Sequence, residues 1–167
     1  MQTSDLLRDR RRRGPTTAER ITAKRLLDYS AAGPTGSRSR RAVLTLAVVV
    51  GAALVATTGA IHLHLWASGY RTIPTIGPLF LFQGIAGAVL AVVLVVWRRL
   101  LTVVAAAGFM IATIGGLLLS VYVGLFGFTD TLAAPFAGMS LGVESAGAVV
   151  LGAIAITLVL GQFESDK

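Results

Sequence analysis

Four long stretches of this chain carry almost no charge, and they constrain its fold more than any other feature. Ala42 to Tyr70, Thr72 to Trp97 and Leu100 to Thr129 lack Asp, Glu, Lys and Arg, and Thr131 to Phe163 contains only Glu144. A helix needs about 20 residues to cross the hydrocarbon of a bilayer. Lipid offers the backbone no hydrogen-bond partner, so each stretch must form a helix. We therefore predict an all-α membrane protein, a four-helix bundle in a transmembrane domain over 42–163, with helices near 42–66, 77–97, 100–126 and 139–161.

The charge of the chain is concentrated in an amino-terminal tail, residues 1–41. This tail contains 11 of the 15 Lys and Arg residues and 4 of the 8 Asp and Glu residues, which accounts for the net charge of +7. A basic run can indicate nucleic-acid binding. No base-reading motif accompanies the run, however, and cytoplasmic flanks of membrane spans are ordinarily rich in Lys and Arg. We expect no nucleic-acid partner.

The distribution of cations also predicts the topology. If the amino terminus is cytoplasmic, 14 of the 15 Lys and Arg residues face the cytoplasm and only Arg71 lies outside. We therefore expect a multi-pass protein of the plasma membrane with both termini, including residues 164–167, in the cytoplasm. Anionic lipid headgroups are the expected partners of the arginines on this side. These are Arg10, Arg11, Arg12, Arg13, Arg40, Arg41, Arg98 and Arg99.

A short helix is predicted within the tail. Thr16 and Glu19 have the spacing of a capping box, which satisfies the exposed amides of a helix start. An amphipathic helix over 17–31 would present a basic face to an anionic membrane surface. The alternative is a partly disordered tail with transient helix.

The membrane domain also contains signs of an internal duplication. The sequence Ala-Gly-Ala-Val occurs at 86–89 and again at 146–149, and Gly51 and Gly59 have counterparts at 108 and 116. This pattern is consistent with two duplicated helical hairpins, although Ala- and Gly-rich spans also align by chance. Small residues spaced four apart let helix backbones approach in lipid. Gly84 with Ala88 has this spacing and predicts either packing within one bundle or a homodimer face.

Five polar side chains remain within the spans, and four of them are predicted to lie at one depth. At 1.5 Å per residue, one polar residue from each helix falls roughly 6–8 Å below its outer end. The five residues are His62, His64, Gln83, Tyr122 and Glu144. Buried ionisable groups in membranes are costly and usually paired. The layer is therefore either a hydrogen-bonded cluster that holds the helices in register or a binding site.

The two histidines do not form a predicted metal site. Two positions along a helix correspond to a rotation of about 200°, so His62 and His64 point to nearly opposite faces. We predict no metal and no cofactor, and the absence of cysteine also excludes thiol chemistry and disulfides. A haem held by one histidine with a Met or Tyr, or between two protomers, remains an alternative.

The connection between helices one and two is predicted to be an ordered outer loop. It contains Tyr70, Arg71 and Pro74 within an otherwise apolar segment. Arg71 would lie near phosphate headgroups or reach Glu144. The alternative is a stiff connection with no further role.

The segments Gly59 to Trp66 and Gly69 to Phe80 resemble part of a group of uncharacterised small four-helix membrane proteins from high-GC bacteria. The resemblance covers about a third of the chain. It implies the same fold and draws attention to the outer loop, but it implies no catalytic residue.

The favoured function from the sequence is that of a non-enzymatic membrane protein, either an accessory subunit of a larger complex or a lipid- or partner-binding bundle. The spans contain no evident set of nucleophile and base. A small proton-coupled transporter using Glu144 and His62 is the main alternative, and a haem-binding membrane protein is a further one.

Overall fold

The computed structural model describes residues 38–165, with side chains from 38 to 161. Its long helices are α1 (Arg38–Ala67), α2 (Ile76–Val96), α3 (Leu100–Tyr122) and α4 (Ala137–Ser165), and a short 3-10 helix covers Tyr70–Thr72. All four long helices are apolar and long enough to span a membrane. The predicted all-α fold with four membrane helices is confirmed. The predicted tail helix 17–31, the tail arginines Arg10 to Arg13 and residues 166–167 lie outside the described residues.

The helix bounds agree with the predicted ones to within four residues. α1 begins at Arg38, so residues 38–41, which we assigned to the tail, form its first turn. α4 likewise begins two residues before and ends four residues after its predicted span. Spans of 21 to 30 residues correspond to about 32–45 Å at 1.5 Å per residue. α1 and α4 are therefore longer than the roughly 30 Å of hydrocarbon that a span must cross.

The end of α3 is the one boundary whose difference changes the position assigned to a polar residue. The helix ends at Tyr122 rather than at the predicted residue 126. Gly124 and Phe126 have positive φ angles of 88° and 51°. The backbone amides of Leu125 and Phe128 each donate to the other residue's carbonyl, at 2.7 and 2.9 Å. This tight turn pairs these backbone groups without helix.

The four helices form a ring in which each packs against its neighbours in the order α1, α2, α3, α4 and back to α1. We call the end with connections 68–75 and 123–136 the loop end, and the end with connection 97–99 the turn end. The core contains side chains that are 0–1% exposed, among them Val48, Val55, Leu94 and Leu151. Large apolar side chains also cover the outside, as lipid requires.

The helix backbones of the bundle approach each other most closely where α1 crosses α2, because glycines of the two helices are in contact there. A Cβ atom on Gly87 would lie 2.8 Å from the Cα of Gly59, and one on Gly59 would lie 3.0 Å from the Gly84 carbonyl oxygen. A Cβ on Gly84 would overlap the Leu63 side chain. The packing role predicted for Gly84 is therefore observed. Its predicted companion Ala88 is exposed, and Gly87 takes its place.

The two hairpins do not repeat this contact. A Cβ atom added to Gly116, the counterpart of Gly59, would meet no atom within 4 Å, and Gly147, the counterpart of Gly87, instead admits the Met110 side chain. The close glycine contact of the first hairpin therefore has no equivalent in the second, and the duplication stays a prediction from the sequence pattern. The predicted homodimer or larger complex stays a prediction.

We expect Gly87→Ala to destabilise the protein and Gly108→Ala to leave it unchanged or slightly more stable. The new methyl group at Gly87 meets backbone, which cannot move aside, so the cost should be about 1–3 kcal/mol. Gly108 is exposed and has no neighbour within 4 Å. The measurement is the thermal unfolding midpoint of each variant in one detergent. Equal midpoints for both variants would contradict the close backbone contact between Gly87 and Gly59.

Candidate functional site

A cavity of about 80 Å³ lies inside the bundle at the loop end. All four helices and both loop-end connections contribute to its walls. This volume is sufficient for several water molecules or a small ligand. Three residues of the predicted polar layer, His62, Gln83 and Glu144, line it. The structure therefore brings these three predicted side chains, from three different helices, to one cavity.

Glu144 is the most deeply buried polar side chain of the cavity, with 1% of its surface exposed. The Ser140 hydroxyl, one helical turn earlier, donates to Glu144 Oε1 at 2.7 Å. The other carboxyl oxygen, Oε2, is buried without a hydrogen-bond partner, because the nearby Thr113 hydroxyl donates its hydrogen to the Met110 carbonyl oxygen at 2.8 Å. The residues that line the cavity, all within 38–161, include no Lys or Arg. The carboxyl group therefore has no cationic protein partner in the cavity wall.

His62 is also buried, at 7% exposure. Its Nδ1 atom lies 2.8 Å from the Thr58 carbonyl oxygen. A carbonyl oxygen only accepts, so Nδ1 carries a hydrogen, and the neutral form of the ring would have its lone pair on Nε2. The ring meets Phe80 edge to face with centroids 5.2 Å apart. The bond to Thr58 and the contact with Phe80 fix the orientation of the imidazole at the cavity wall.

Two further buried oxygen atoms in the cavity have no partner: Gln83 Oε1 and Ser120 Oγ. Together with Glu144 Oε2, they are all of the buried polar side-chain atoms that lack a partner in the part of the chain that the structure describes. Buried polar atoms in proteins almost always have a protein or water partner. Three unpaired oxygens around one cavity give its wall an unused capacity for hydrogen bonds.

Ser120 replaces Tyr122 as the contribution of α3. Tyr122 is 74% exposed and does not line the cavity, whereas Ser120 is 5% exposed. Two positions on a helix reverse the facing direction, and our depth prediction assumed that α3 continued to residue 126. The seven-residue spacing of Thr113 and Ser120, both in the wall, was the sequence signal that could have identified this face.

The loop-end connections close the cavity with aromatic rings. Tyr70 stacks on Phe80 with centroids 4.9 Å apart, and its edge contacts Phe128 at 5.9 Å. Asp130 and Phe136 complete this side of the wall. Tyr70 was predicted as a loop residue of interest, and it is the one that reaches the cavity.

The remaining predicted residues lie outside the cavity. Arg71 and Pro74 are exposed and absent from the wall, so Arg71 is not the partner of Glu144. His64 is exposed and contacts Ser68 and Phe136, which agrees with the predicted opposite orientation of the two histidines.

The arginines of the spans lie at the turn end. Arg40, Arg41 and Arg99 are exposed there. Arg98 is half-buried, and its Nη1 donates to the Thr45 hydroxyl of α1 at 3.2 Å. Five arginines, with Arg38, therefore form a basic band at the end opposite to the cavity.

No group of three or more His, Asp and Glu side chains within residues 38–161 is placed to hold a metal ion. The polar groups of the cavity wall are the two carboxyl groups of Asp130 and Glu144, together with amide, hydroxyl and imidazole groups.

The environment of Tyr70 generates a pH prediction. Burial, and secondly the negative charge of Asp130, raise the pKa of Tyr70 above its ordinary value of 10.0. In a variant with Tyr29→Phe and Tyr122→Phe, absorbance at 295 nm should therefore show a midpoint above 10 for the folded protein. A raised folded pKa favours the neutral phenol, so this contribution to stability is complete below pH 10 and is lost as pH rises through the folded pKa.

Asp130→Asn removes the negative charge, which is the smaller of the two causes of the raised Tyr70 pKa. The variant should lower the titration midpoint of Tyr70 while leaving it above that of free tyrosine. A midpoint that does not change in Asp130→Asn would show that the carboxylate is not near the ring.

Comparison with known proteins gives no family for this chain: no family model, curated protein or solved structure matches it. The resemblance noted for the segment between α1 and α2 stays a prediction. The chemistry of the cavity is therefore the basis for assigning a function.

Proposed function

We propose that this chain is a non-enzymatic, multi-pass membrane protein that binds a small molecule in the loop-end cavity. The observation that supports this function is the set of three buried, unpartnered oxygens around one cavity: Gln83 Oε1, Ser120 Oγ and Glu144 Oε2. A cluster that only held the helices in register would bond its members to each other. Here each oxygen is left for a molecule that occupies the cavity.

The polar residues of the cavity lack the connections of a hydrolytic site. Catalytic nucleophiles are hydrogen bonded to a base, which a third group orients. His62 Nδ1 donates to a backbone carbonyl rather than to a carboxylate, and the Ser140 hydroxyl donates to Glu144. Ser120 Oγ has no partner within the described residues. These bonds favour ligand binding over covalent catalysis.

The basic band at the turn end supports a cytoplasmic location for that end, with contacts from Arg40, Arg41, Arg98 and Arg99 to anionic headgroups. The cavity then opens toward the outer leaflet. A role as an accessory subunit of a larger membrane complex is compatible with this arrangement, because lipid-facing surfaces of α3 and α4 carry small residues that would permit close helix contacts.

The topology can be tested with single cysteines, because the chain contains none. Ser68, in the loop-end connection, and Ser39, on the first turn of α1, are both exposed. Ser68→Cys should react with a membrane-impermeant maleimide in intact cells, and Ser39→Cys should react only after the membrane is permeabilised. The reverse pattern would invert the orientation.

Ligand binding can be tested by blocking the cavity. Gly116 lines the cavity with open space beside its Cα, whereas Gly108, two turns away on the same helix, is exposed outside the bundle. We expect compounds from a panel of small amines, alcohols, carboxylates and amino acids to raise the unfolding midpoint of the wild type and of Gly108→Phe. A ligand at 100 times its Kd stabilises by about 2.7 kcal/mol. Gly116→Phe should show no shift.

Stabilisation of all three proteins to the same extent would indicate partition into the detergent micelle. That result, or no stabilisation of any protein, would contradict the proposed function.

Proton-coupled transport is the second candidate, and the unpaired carboxyl of Glu144 in the same cavity as His62 favours it. Toward the turn end, however, the bundle is filled by buried apolar side chains such as Val48, Val55 and Leu94. A transport cycle would have to separate these side chains. Binding requires no such rearrangement, so we place it first.

A further inference from the structure

All three unpaired atoms of the cavity can accept hydrogen bonds. Gln83 Oε1 accepts and cannot donate, Glu144 Oε2 accepts when the carboxyl is ionised, and Ser120 Oγ both accepts and donates. Glu144 and Ser120 are 1% and 5% exposed, so water outside the bundle does not satisfy their oxygens. The cavity therefore offers acceptors to a ligand that brings donors.

The charge of the wall has one sign. Asp130 and Glu144 contribute carboxyl groups, and no residue of the wall, all of which lie within 38–161, is a Lys or Arg. Arg71, which follows directly after the cavity residue Tyr70, is exposed and outside the wall. A carboxyl group taken out of water either keeps its proton or, when ionised, needs an opposite charge beside it. A cationic ligand would supply the charge that the protein leaves out.

The apolar part of the wall includes four aromatic rings beside its aliphatic side chains. Tyr70, Phe80, Phe128 and Phe136 line the loop-end side. The faces of aromatic rings attract cations, and ammonium groups are bound in proteins by sites of this composition. An inorganic cation would need a cluster of several oxygen ligands, and the described residues contain no group of three His, Asp or Glu that could form one.

We infer that the loop-end cavity binds a small organic cation, an ammonium group with an apolar substituent. Its N–H groups are directed to Glu144 Oε2 and the neighbouring acceptors, and its apolar body lies against the aromatic rings. This assignment rests on the proposed ligand-binding function and adds the chemical class of the ligand.

The test uses thiol reagents of matched size and opposite charge on the purified full-length protein. Gly116→Cys places the only thiol of the chain in the cavity wall, where a Cβ has open space. Ser68→Cys, in an exposed connection, gives the intrinsic reactivity ratio. The reagents are 2-aminoethyl methanethiosulfonate, which is cationic, and 2-sulfonatoethyl methanethiosulfonate, which is anionic.

We expect the ratio of cationic to anionic reaction rates to be at least about tenfold higher at Gly116→Cys than at Ser68→Cys. Unit charges several ångströms apart at an effective dielectric constant of about 20 produce a difference of at least this size. Adding Glu144→Gln should reduce the ratio severalfold. Glu164→Gln, the same change twenty positions further along α4, should leave it unchanged.

The outcomes separate the two proposals. Reaction with both reagents at the ratio of Ser68→Cys, or a preference for the anion, overturns the cationic ligand and leaves ligand binding intact. A cationic preference that persists in Glu144→Gln overturns the role of that carboxylate. If neither reagent reacts at Gly116→Cys, the cavity does not admit small molecules and both proposals fail. The comparison of Gly116→Cys with Ser68→Cys remains decisive if Glu144→Gln does not fold.

Discussion

The rest of the structure depends on the absence of hydrogen-bond partners for the backbone in lipid. Because each amide in the hydrocarbon must pair within its own segment, the four stretches with little or no charge become helices, and irregular structure is confined to the connections. Lipid also removes the usual drive to bury apolar side chains. The bundle is therefore held by close backbone approach, which is strongest where Gly59 meets Gly84 and Gly87 across α1 and α2.

The same constraint explains how much of the fold the sequence could predict. Stretches without charge locate the spans directly, and the predicted starts and ends are within a few residues of those of α1, α2 and α4. The end of α3 could not be located this way, because the residues after Tyr122 are as apolar as those before it. What ends the helix is a turn with positive φ angles at Gly124 and Phe126, a local backbone property that hydropathy does not register.

The candidate site was predictable to the extent that it depends on residue type and depth. His62, Gln83 and Glu144 are rare polar residues in apolar helices, so their common depth indicated a shared site. Which way a side chain points depends on the rotation of each helix, and the helix end chosen for α3 selected Tyr122 instead of Ser120. The contribution of Asp130 depends on how connection 123–136 folds back over the bundle, and no periodic pattern encodes that path.

The position of the cavity follows from an asymmetry between the two ends of the bundle. One turn toward the turn end from His62 and Glu144, the fully buried Met110 packs against Gly147 and accepts a hydrogen bond from the Thr58 hydroxyl at 3.6 Å. A flexible thioether fills irregular space well, so the bundle is packed at this level and the cavity lies nearer to the loop end. At the loop end, by contrast, part of the wall consists of planar rings held by stacking and edge contacts, and these rings leave space between them. For the ligand binding that we propose, exchange would proceed through the loop-end connections, where separating aromatic side chains disturbs no helix crossing.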